Sequence, residues 1–406
     1  MRFVLLCLLM VIFLTGCQRT AIEAAAPPPA IQISAAGIDA AEPVTASASD
    51  GTFYVAWVNH DAKQADVMLA RFSTDGVMQG APVLVNRQQG VATAWRGDQP
   101  SLSVAEDGSV YVLWTQRVEA GGQHGTDLYL SVSNDRGQSF ASEVKINDDK
   151  VPGAHGMHSL AVAKDGRVYV SWLDERHVHK PKPSTKGEGH HMESNRDLFI
   201  AYSTDGGRTF SANRRVASEA CPCCKTALAV SSDGTLYAGW RQVLPGNFRH
   251  IAVASSTDGG TTFTSPKIVS DDKWMLQGCP VSGPSLSVEP SGNLRVLWYA
   301  AGEASATGLY VSESTDKGQT FAPRQLLAQE TVKGTPALAS GDDRAIALWQ
   351  AAEVGETKAS DLGKAGAALS VATNAELPAG IVSKGKLFVA YIAREREIRS
   401  VWLRRV

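Results

Sequence analysis

Ser203-Thr204-Asp205-Gly206-Gly207-Arg208-Thr209-Phe210 is one of four copies of a motif S-x-D-x-G-x-[ST]-F, and the others span 133–140, 256–263 and 314–321. Each copy follows a run with strand character. An Asp side chain can accept hydrogen bonds from backbone amides inside a turn, and Gly supplies a positive φ without steric cost. The motif therefore predicts a hairpin turn. Because it repeats, it also predicts units that must stack on their neighbours to bury a hydrophobic face.

Each turn belongs to a longer unit that begins with a hairpin of the form P-S-L-S-V-x-x-D-G-x-V-Y-V-x-W, as in Pro100–Trp114. Asp-Gly between two alternating apolar runs is a strong hairpin signal. Seven such inner hairpins end at Trp57, Trp114, Trp172, Trp240, Trp298, Trp349 and Tyr391. A Trp that recurs at one repeat position is expected in the core between units.

Third and fourth strands complete most units, so the sequence predicts an all-β fold built from four-stranded sheets. The last unit offers 398–403 as its third strand and then the chain ends, which leaves 30–34 at the front as its fourth strand. We therefore expect a seven-bladed β-propeller over 30–406 that is closed by an N-terminal strand and has no open edge. Six blades is the alternative, because units six and seven are short and unit six lacks the turn motif.

The first residues predict a leader rather than part of the fold. Arg2 precedes an apolar run of 12 residues at 3–14, which is too short to span a bilayer and fits a signal peptide over 1–16. The following Leu14-Thr15-Gly16-Cys17 resembles the bacterial lipoprotein box, in which the Cys is lipidated. An ordinary signal peptide with an incidental Cys is the alternative.

A lipidated Cys17 would anchor the mature protein in the membrane of a bacterial cell envelope. Residues 17–29 form an Ala- and Pro-rich tether. Gln18 follows Cys17, and by resemblance to the sorting rule of Gram-negative bacteria this favours the outer membrane, facing the periplasm or the surface. The whole chain carries 39 Lys and Arg against 41 Asp and Glu, and this balance argues against nucleic acid as a partner.

The turn motif resembles the Asp-box, or BNR repeat, of the sialidase-like propellers, and the resemblance covers nearly the whole mature chain. In that family the Asp-boxes are structural and lie on the face opposite the active site. Its enzymes hold a sialic acid carboxylate with three Arg, one of them in an R-I-P motif before an inner strand, and use a Tyr–Glu nucleophile pair and an Asp acid. Here no Arg stands two residues before a predicted inner strand, and Arg96 is displaced by two.

The residues that resemble parts of the family's site do not form a coherent triad in the sequence. The catalytic candidates are Arg96, Asp98, Glu175, Arg176, Glu219, Arg241 and Tyr299. The candidate carboxylates for glycoside hydrolysis are Asp98, Asp174, Glu175 and Glu219. Two of these carboxylates would have to face each other at roughly 5–10 Å for glycoside hydrolysis.

Sulfur and imidazole side chains collect in loops that the propeller topology places on one face, in the neighbouring blades three, four and five. They occur at 153–158, 174–193, 219–225 and 275–280. The candidate metal ligands are Cys221, Cys223, Cys224, Cys279, His155, His158 and Met157. Thiolates, imidazoles and thioethers suit Cu(I) or Zn(II). His190 and His191, in the longest of these loops, are either ligands or solvated side chains.

The four Cys of this cluster have two other interpretations. An oxidising compartment favours disulfides, and four Cys allow three pairings. A Cys223–Cys224 bond is disfavoured, since adjacent Cα atoms lie about 3.8 Å apart and relaxed disulfides need roughly 4.4–6.8 Å. Cys221 and Cys224 have the C-x-x-C spacing of redox pairs, which would leave Cys223 to reach Cys279.

Three functions remain open from the sequence. The first is a non-catalytic envelope propeller that binds copper, zinc or a small ligand at its upper mouth. The second is a glycoside hydrolase of exo-sialidase type, or a relative acting on another acidic sugar. The third is a scaffold for contacts with other envelope proteins.

Overall fold

The computed structural model describes residues 28–406 apart from 62–63, 120–124, 151, 179–193, 277, 279, 305, 342–343, 354 and 365. The predicted signal peptide, the lipidation site at Cys17 and most of the tether therefore lie outside the described residues. The described chain is all-β and contains 29 strands. None of its helical segments has the length and apolar character needed to cross a bilayer.

The described strands fall into consecutive antiparallel units, most of them four-stranded; Ala92–Thr93 adds a fifth strand to the second unit, and a bridge between Ala220 and Gln242 joins the third and fourth units into one eight-stranded sheet. Units one to three contain, after β1 (Ile31–Gln32), the strands β2 (Asp39–Ser47), β3 (Phe53–Asp61), β4 (Gln64–Phe72), β5 (Val83–Leu84), β6 (Ala92–Thr93), β7 (Ser101–Val104), β8 (Val110–Arg117), β9 (Thr126–Ser133), β10 (Val144–Lys145), β11 (His155–Val162), β12 (Val168–Asp174), β13 (Arg196–Ser203) and β14 (Arg214–Ala220). Units four to seven contain β15 (Ala227–Val230), β16 (Leu236–Leu244), β17 (Phe248–Ser256), β18 (Lys267–Ile268), β19 (Ser285–Val288), β20 (Leu294–Ala300), β21 (Gly308–Ser314), β22 (Gln325–Ala328), β23 (Ala337–Gly341), β24 (Arg344–Ala351), β25 (Glu356–Asp361), β26 (Leu369–Thr373), β27 (Ala375–Ser383), β28 (Lys386–Glu395) and β29 (Ile398–Arg405).

Within each unit, neighbouring strands pair antiparallel, and in the second unit both β6 and β7 pair with β8. The seventh unit takes its fourth strand from the front of the chain, because β1 pairs with β29 through Ile31–Leu403 and Gln32–Trp402. The first strands of the units contact one another in cyclic order, and β27 of the seventh unit contacts β2 of the first. These first strands therefore surround a common axis.

The core between units contains the recurring Trp residues of the second strands. Six of them are at most 1 % exposed: Trp57, Trp114, Trp172, Trp240, Trp298 and Trp349. The indole nitrogens of five of them donate to a polar side chain, and Trp114 Nε1 has no partner among the described residues. Trp172 Nε1, for example, donates to Asp174 at 2.8 Å. This satisfies a donor that would be costly to bury unpaired.

The Asp-box turns lie at the end of the units opposite the start of the first strands. In the copy quoted above, the backbone amides of Arg208 and Thr209 donate to Asp205 Oδ1 at 3.0 Å. Gly207 has a φ of 85°. A Cβ there would lie 3.0 Å from Leu130 of the preceding unit and 3.4 Å from Tyr111. Gly is thus required by both the backbone conformation and the contact between units.

Three of the first strands carry a β-bulge near their beginning, in β2, β11 and β27. Each bulge contains a residue with positive φ, namely Glu42, Met157 or Leu377. A bulge adds a residue and changes the direction in which the following side chains point. The strand starts at the upper end therefore do not follow a simple in-out alternation.

Candidate functional site at the upper mouth

A cavity of about 220 Å³ lies on the axis where the first strands begin, and every unit contributes to its wall. Gln99, Lys225 and Thr335 line it from the position just before a first strand. Most other wall residues are Pro, Ala, Leu, Ser or Thr, and Lys225 is the single charged residue among the described residues of the wall. A second cavity of about 410 Å³ opens where the first strands end.

Lys225 belongs to a cluster with Asp98 and His158 below the cavity. Its Nζ donates to the carbonyl of Gln99 at 2.6 Å and lies 3.6 Å from Asp98 Oδ1. The same carboxylate oxygen lies 3.7 Å from His158 Nε2. Asp98 is 5 % exposed and His158 is 1 % exposed. Within the described part of the chain, Asp98 Oδ1 has no hydrogen-bond partner, although it lies between two nitrogen atoms.

Burial pushes all three groups toward their neutral forms. It raises the pKa of Asp98, against the lowering effect of the Lys225 charge. It lowers the pKa of His158 well below its usual value. It also lowers the pKa of Lys225 to about 8, against the raising effect of Asp98. Lys225 therefore releases its proton closer to neutral pH than a lysine in water does.

Ser101 fixes the orientation of the imidazole. Its hydroxyl donates to the His158 carbonyl at 3.2 Å, and His158 Nδ1 lies 2.9 Å from the same hydroxyl oxygen. These two contacts hold the imidazole with its Nε2 facing Asp98. Gly156 makes room for the carboxylate, since a Cβ at this position would lie 2.7 Å from Asp98 Oδ2.

The three clustered Cys lie beside Lys225, in the turn that leads into β15. Cys223 is disulfide-bonded, whereas Cys221 and Cys224 are free and buried. Cys224 Sγ lies 3.4 Å from Cys221 Sγ, and Cys223 Sγ lies 3.9 Å from Cys221 Sγ. In this form Cys223 cannot act as a thiolate ligand. Cys279, proposed from the sequence as its partner, lies outside the described residues.

Met157 packs in the same buried cluster as the three Cys, but the two His of its strand lie elsewhere. His158 belongs to the Lys225 cluster described above. His155 Nε2 lies 3.0 Å from Asp149 and 3.5 Å from Asp174. Its Nδ1 lies 2.6 Å from the carbonyl of Thr126. The structure therefore separates the predicted metal ligands that it describes into three groups.

His155, Asp149 and Asp174 form a group that could hold a cation, with donor atoms within 4.8 Å of one another. Asp174 is fully buried. It also forms an ion pair of 2.9 Å with Arg176 and accepts a hydrogen bond from Trp172. This makes Asp174 a structural carboxylate that is closed to a sugar substrate.

The remaining catalytic candidates are held by other partners. Arg96 pairs with Glu376 at 2.9 Å. Glu175 pairs with Arg196 at 2.6 Å. Glu219 accepts a hydrogen bond from Asn195 at 2.7 Å.

Arg241 and Tyr299 lie below the mouth. Arg241 is fully buried and donates to the carbonyls of Ser282 and Tyr299 at 2.8 and 2.9 Å. Tyr299 is 8 % exposed and packs edge-on against Trp274. Arg96, Arg176 and Arg241 thus have three separate sets of partners and do not converge on one carboxylate position.

The sequence argument did not single out Lys225, Ser101, Asp149 or Arg249. Lys225 could have been found from the sequence, because it lies two residues before a first strand, as Gln99 does. Arg249 lies near the start of β17 and had no such signal. It is 4 % exposed, and its backbone contacts Val243, Trp274 and Arg241.

The comparisons with known proteins agree with this architecture. No protein family profile and no curated protein sequence matches the chain. Among solved structures, a Hadza microbial sialidase, Hz136, is similar with 16 % identity and a TM-score of 0.54, over 80 % of this chain and 66 % of that one. This chain thus spans slightly less than two thirds of the sialidase's length. The fold is a sialidase-like β-propeller.

Two other solved structures are similar over most of their own length. A PL25 ulvan lyase, solved with a bound saccharide, matches with 11 % identity and a TM-score of 0.55, covering 92 % of this chain and 95 % of that one. An α-L-arabinanase from Penicillium chrysogenum, complexed with arabinobiose, matches with 13 % identity and a TM-score of 0.52, covering 77 % and 94 %. At such identities the likeness is one of fold.

Proposed function

We propose that the upper mouth binds a small acidic ligand of the acidic-sugar class, with its carboxylate against Lys225. The observation that carries this proposal is the position of Lys225 as the charged group of an otherwise uncharged cavity wall. An ammonium held in a partly desolvated site attracts an anion more strongly than one in water. The hydroxyl-bearing residues of the wall, such as Ser159, Thr226 and Thr335, supply donors and acceptors for sugar hydroxyls.

The size of the cavity favours one sugar ring over a polymer. At about 220 Å³ it lies below the roughly 300–1,000 Å³ of pockets that hold drug-sized ligands. Solved propellers with a similar fold include enzymes that act on glycans. Their likeness supports the ligand class only as an analogy.

Binding without hydrolysis is the form of the proposal that the geometry favours. A sialidase needs three Arg directed at one carboxylate, and Arg96, Arg176 and Arg241 are committed to separate partners. Asp98 and His158 provide a site for one proton beside the ligand, but they do not form a pair of facing carboxylates. Exo-sialidase activity is retained as the alternative. Release of a fluorescent alcohol from a sialoside by wild type, and not by Asp98→Asn, would establish it.

Calorimetric titration with N-acetylneuraminate, glucuronate, galacturonate and neutral glucose tests the binding proposal. An anion beside Lys225 stabilises the ammonium and raises its pKa from about 8, so binding at pH 8.5 should be accompanied by proton uptake. Repeating the titration in buffers of different ionisation enthalpy measures that uptake. We expect Lys225→Met to abolish binding and Lys333→Met, at an exposed Lys outside the cavity wall, to retain it. Equal affinity of both variants would refute the role of Lys225.

A soft metal ion at Cys221 and Cys224 is a second proposal, in a narrower form than the sequence suggested. It is favoured by the clustering of the three Cys sulfur atoms within 4.8 Å. Two thiolates without further ligands suit a two-coordinate Cu(I) better than a tetrahedral Zn(II). Copper analysis of protein made in supplemented medium, compared with the Cys221→Ser/Cys224→Ser double variant, tests it. The same low copper content in both would exclude it.

We also propose that the seven units form a closed ring of seven blades and that Cys17 anchors this ring in the envelope, at the outer membrane. The pairing of β1 with β29 supports the ring. Labelling with radioactive palmitate, lost in Cys17→Ser, would test the anchor. A propeller displayed on such a tether would meet small ligands of the periplasm or surface, and envelope proteins that could act as partners.

A further inference from the structure

His155 lies at the beginning of β11, and carboxylates surround its imidazole. The residue is 1 % exposed. Its Nε2 lies 3.0 Å from Asp149 Oδ1 and 3.5 Å from Asp174 Oδ2. Neither contact has the geometry of a hydrogen bond, so within the described residues this buried nitrogen has no hydrogen-bond partner. Asp149 Oδ2 is a second buried atom of the same cluster with none. Two unpaired polar atoms in one buried cluster call for a partner that they share.

The other ring nitrogen shows how the imidazole is used. His155 Nδ1 lies 2.6 Å from the carbonyl oxygen of Thr126. A carbonyl oxygen can only accept, so Nδ1 carries a proton and donates it. In the neutral imidazole, Nε2 then directs a lone pair at the two carboxylates, which is repulsive unless a positive charge lies between them. A proton on Nε2 would need an acceptor in line with the N–H bond, and neither oxygen provides one. A metal ion accepts the lone pair directly.

The spacing of the donor atoms fits a small divalent cation. Zn(II) binds an imidazole nitrogen at about 2.0–2.1 Å and a carboxylate oxygen at about 2.0–2.2 Å, so two such ligands at a tetrahedral angle lie roughly 3.4 Å apart. The two separations from His155 Nε2 are 3.0 and 3.5 Å, and the donor atoms of all three residues lie within 4.8 Å of one another. Asp149 Oδ2 supplies a fourth donor atom. The imidazole favours Zn(II) over Ca(II), which takes about six to eight oxygen ligands.

An outer partner holds each of the three ligands. The Nδ1–H of His155 donates to a backbone carbonyl, as the second ring nitrogen of a metal-bound His commonly does. Asn147 Nδ2 donates to Asp149 Oδ1 at 3.0 Å. Trp172 Nε1 donates to Asp174 Oδ2 at 2.8 Å. The donor atoms are therefore oriented by the fold, which lowers the cost of assembling them around an ion.

Arg176 brings one positive charge to this cluster but does not balance it. Its guanidinium lies 2.9 Å from Asp148, 2.9 Å from Asp174 and 3.6 Å from Asp149. One guanidinium thus faces three carboxylates, and the side chains of Asp149 and Asp174 are 6 % and 0 % exposed. Buried negative charge without a counter-ion is costly. A divalent cation on the His155 side of these carboxylates would offset that cost.

We propose that His155, Asp149 and Asp174 bind one Zn(II) ion that joins the second unit to the third. Asp149 follows β10 of the second unit, whereas His155 begins β11 and Asp174 ends β12 of the third. None of the three is among the described residues of the upper cavity wall. The ion is therefore structural, and its site is independent both of the acidic-ligand proposal and of the thiols of Cys221 and Cys224.

The zinc content of protein made in zinc-supplemented medium tests the proposal. All measurements use a Cys221→Ser/Cys224→Ser background, so that these thiols bind no metal. The background protein should retain one Zn(II) per chain by elemental analysis and native mass spectrometry. Asp149→Asn keeps the size of the side chain and should lower the zinc affinity by more than the about 10–100-fold that loss of an outer partner costs. His155→Gln should have the same effect.

His250→Gln is the matched control. His250 is also buried and lies 3.5 Å from a carboxylate of Asp271, but no second carboxylate pairs with it in the described part of the chain. This variant should keep its zinc. Added Zn(II) should raise the melting temperature of the metal-stripped background protein and of His250→Gln, and should leave that of Asp149→Asn unchanged.

Co(II) provides a readout that does not depend on the ligand variants. In the stripped background protein it should give the visible absorption of an ion bound by nitrogen and oxygen, without the near-ultraviolet charge-transfer band of a thiolate ligand. Absence of stoichiometric zinc together with absence of this Co(II) spectrum would overturn the proposal. So would equal zinc content in the background protein, Asp149→Asn and His155→Gln, because the ion would then be bound elsewhere.

Discussion

Lys225 should make the folded protein more stable at alkaline pH than at neutral pH. Burial lowers the pKa of Lys225 from 10.5 to about 8. The unfolded chain therefore binds a proton at this residue up to about pH 10.5, whereas the folded protein releases it near pH 8. Since stability rises with pH wherever the unfolded state binds more protons, this group should add roughly 3 kcal/mol between pH 7 and 10.5, at 1.36 kcal/mol for each tenfold change in proton affinity.

Urea unfolding of wild type and Lys225→Met, followed by Trp fluorescence at pH 7, 8, 9 and 10, measures this contribution. The difference between the two proteins should change by most of that amount across the series, in favour of wild type at high pH. Lys333→Met, at an exposed Lys, should give a curve parallel to wild type. Asp98→Asn removes the charge that opposes the effect of burial on Lys225, so its rise should begin at lower pH. Parallel curves for wild type and Lys225→Met would refute the argument that Lys225 is desolvated in the mouth.

Three further predictions concern the turns and the site. Gly207→Ala should lower the free energy of unfolding more than Gly234→Ala. Both residues have a φ above 80°, so each substitution costs about 1–2 kcal/mol, but only at Gly207 would the new Cβ meet side chains within 4 Å. Equal losses of stability in urea would contradict the contact between units. Asp135→Ala should lower the melting temperature at pH 6 but not near pH 2. Hydrogen bonds from the turn outweigh burial and lower the pKa of Asp135 to about 2, and the stability from a lowered carboxyl pKa is lost as pH falls through that pKa. A difference in melting temperature that persists at pH 2 would argue against stabilisation by the charged carboxylate. Gly156→Ala should displace the Asp98 carboxylate and weaken binding of an acidic sugar. Overpacking at this position should lower the free energy of unfolding by about 1–3 kcal/mol. An unchanged melting temperature and affinity would show that the carboxylate has room to move.

The sequence by itself determined the repeat and much of the strand order, because both depend on local chemistry. Asp-Gly and Asp-box turns fix where a strand ends, and alternation fixes which residues face a neighbouring sheet. The pairing of the N-terminal strand with β29 was predictable for the same reason, since the last unit lacked a fourth strand. The clustering of the three Cys was also visible, because they lie within four residues of one another.

The tertiary structure alone decided what surrounds those residues. His155 and His158 are three residues apart, yet the bulge at Met157 directs one toward Asp149 and the other toward Asp98. The charge of Arg249, on β17, lowers the pKa of Cys221 in the turn before β15. Side chains that meet across units are set by packing around the axis, and no local pattern in the sequence encodes that packing. The charge state of each group follows from burial, which exists only once the units are assembled.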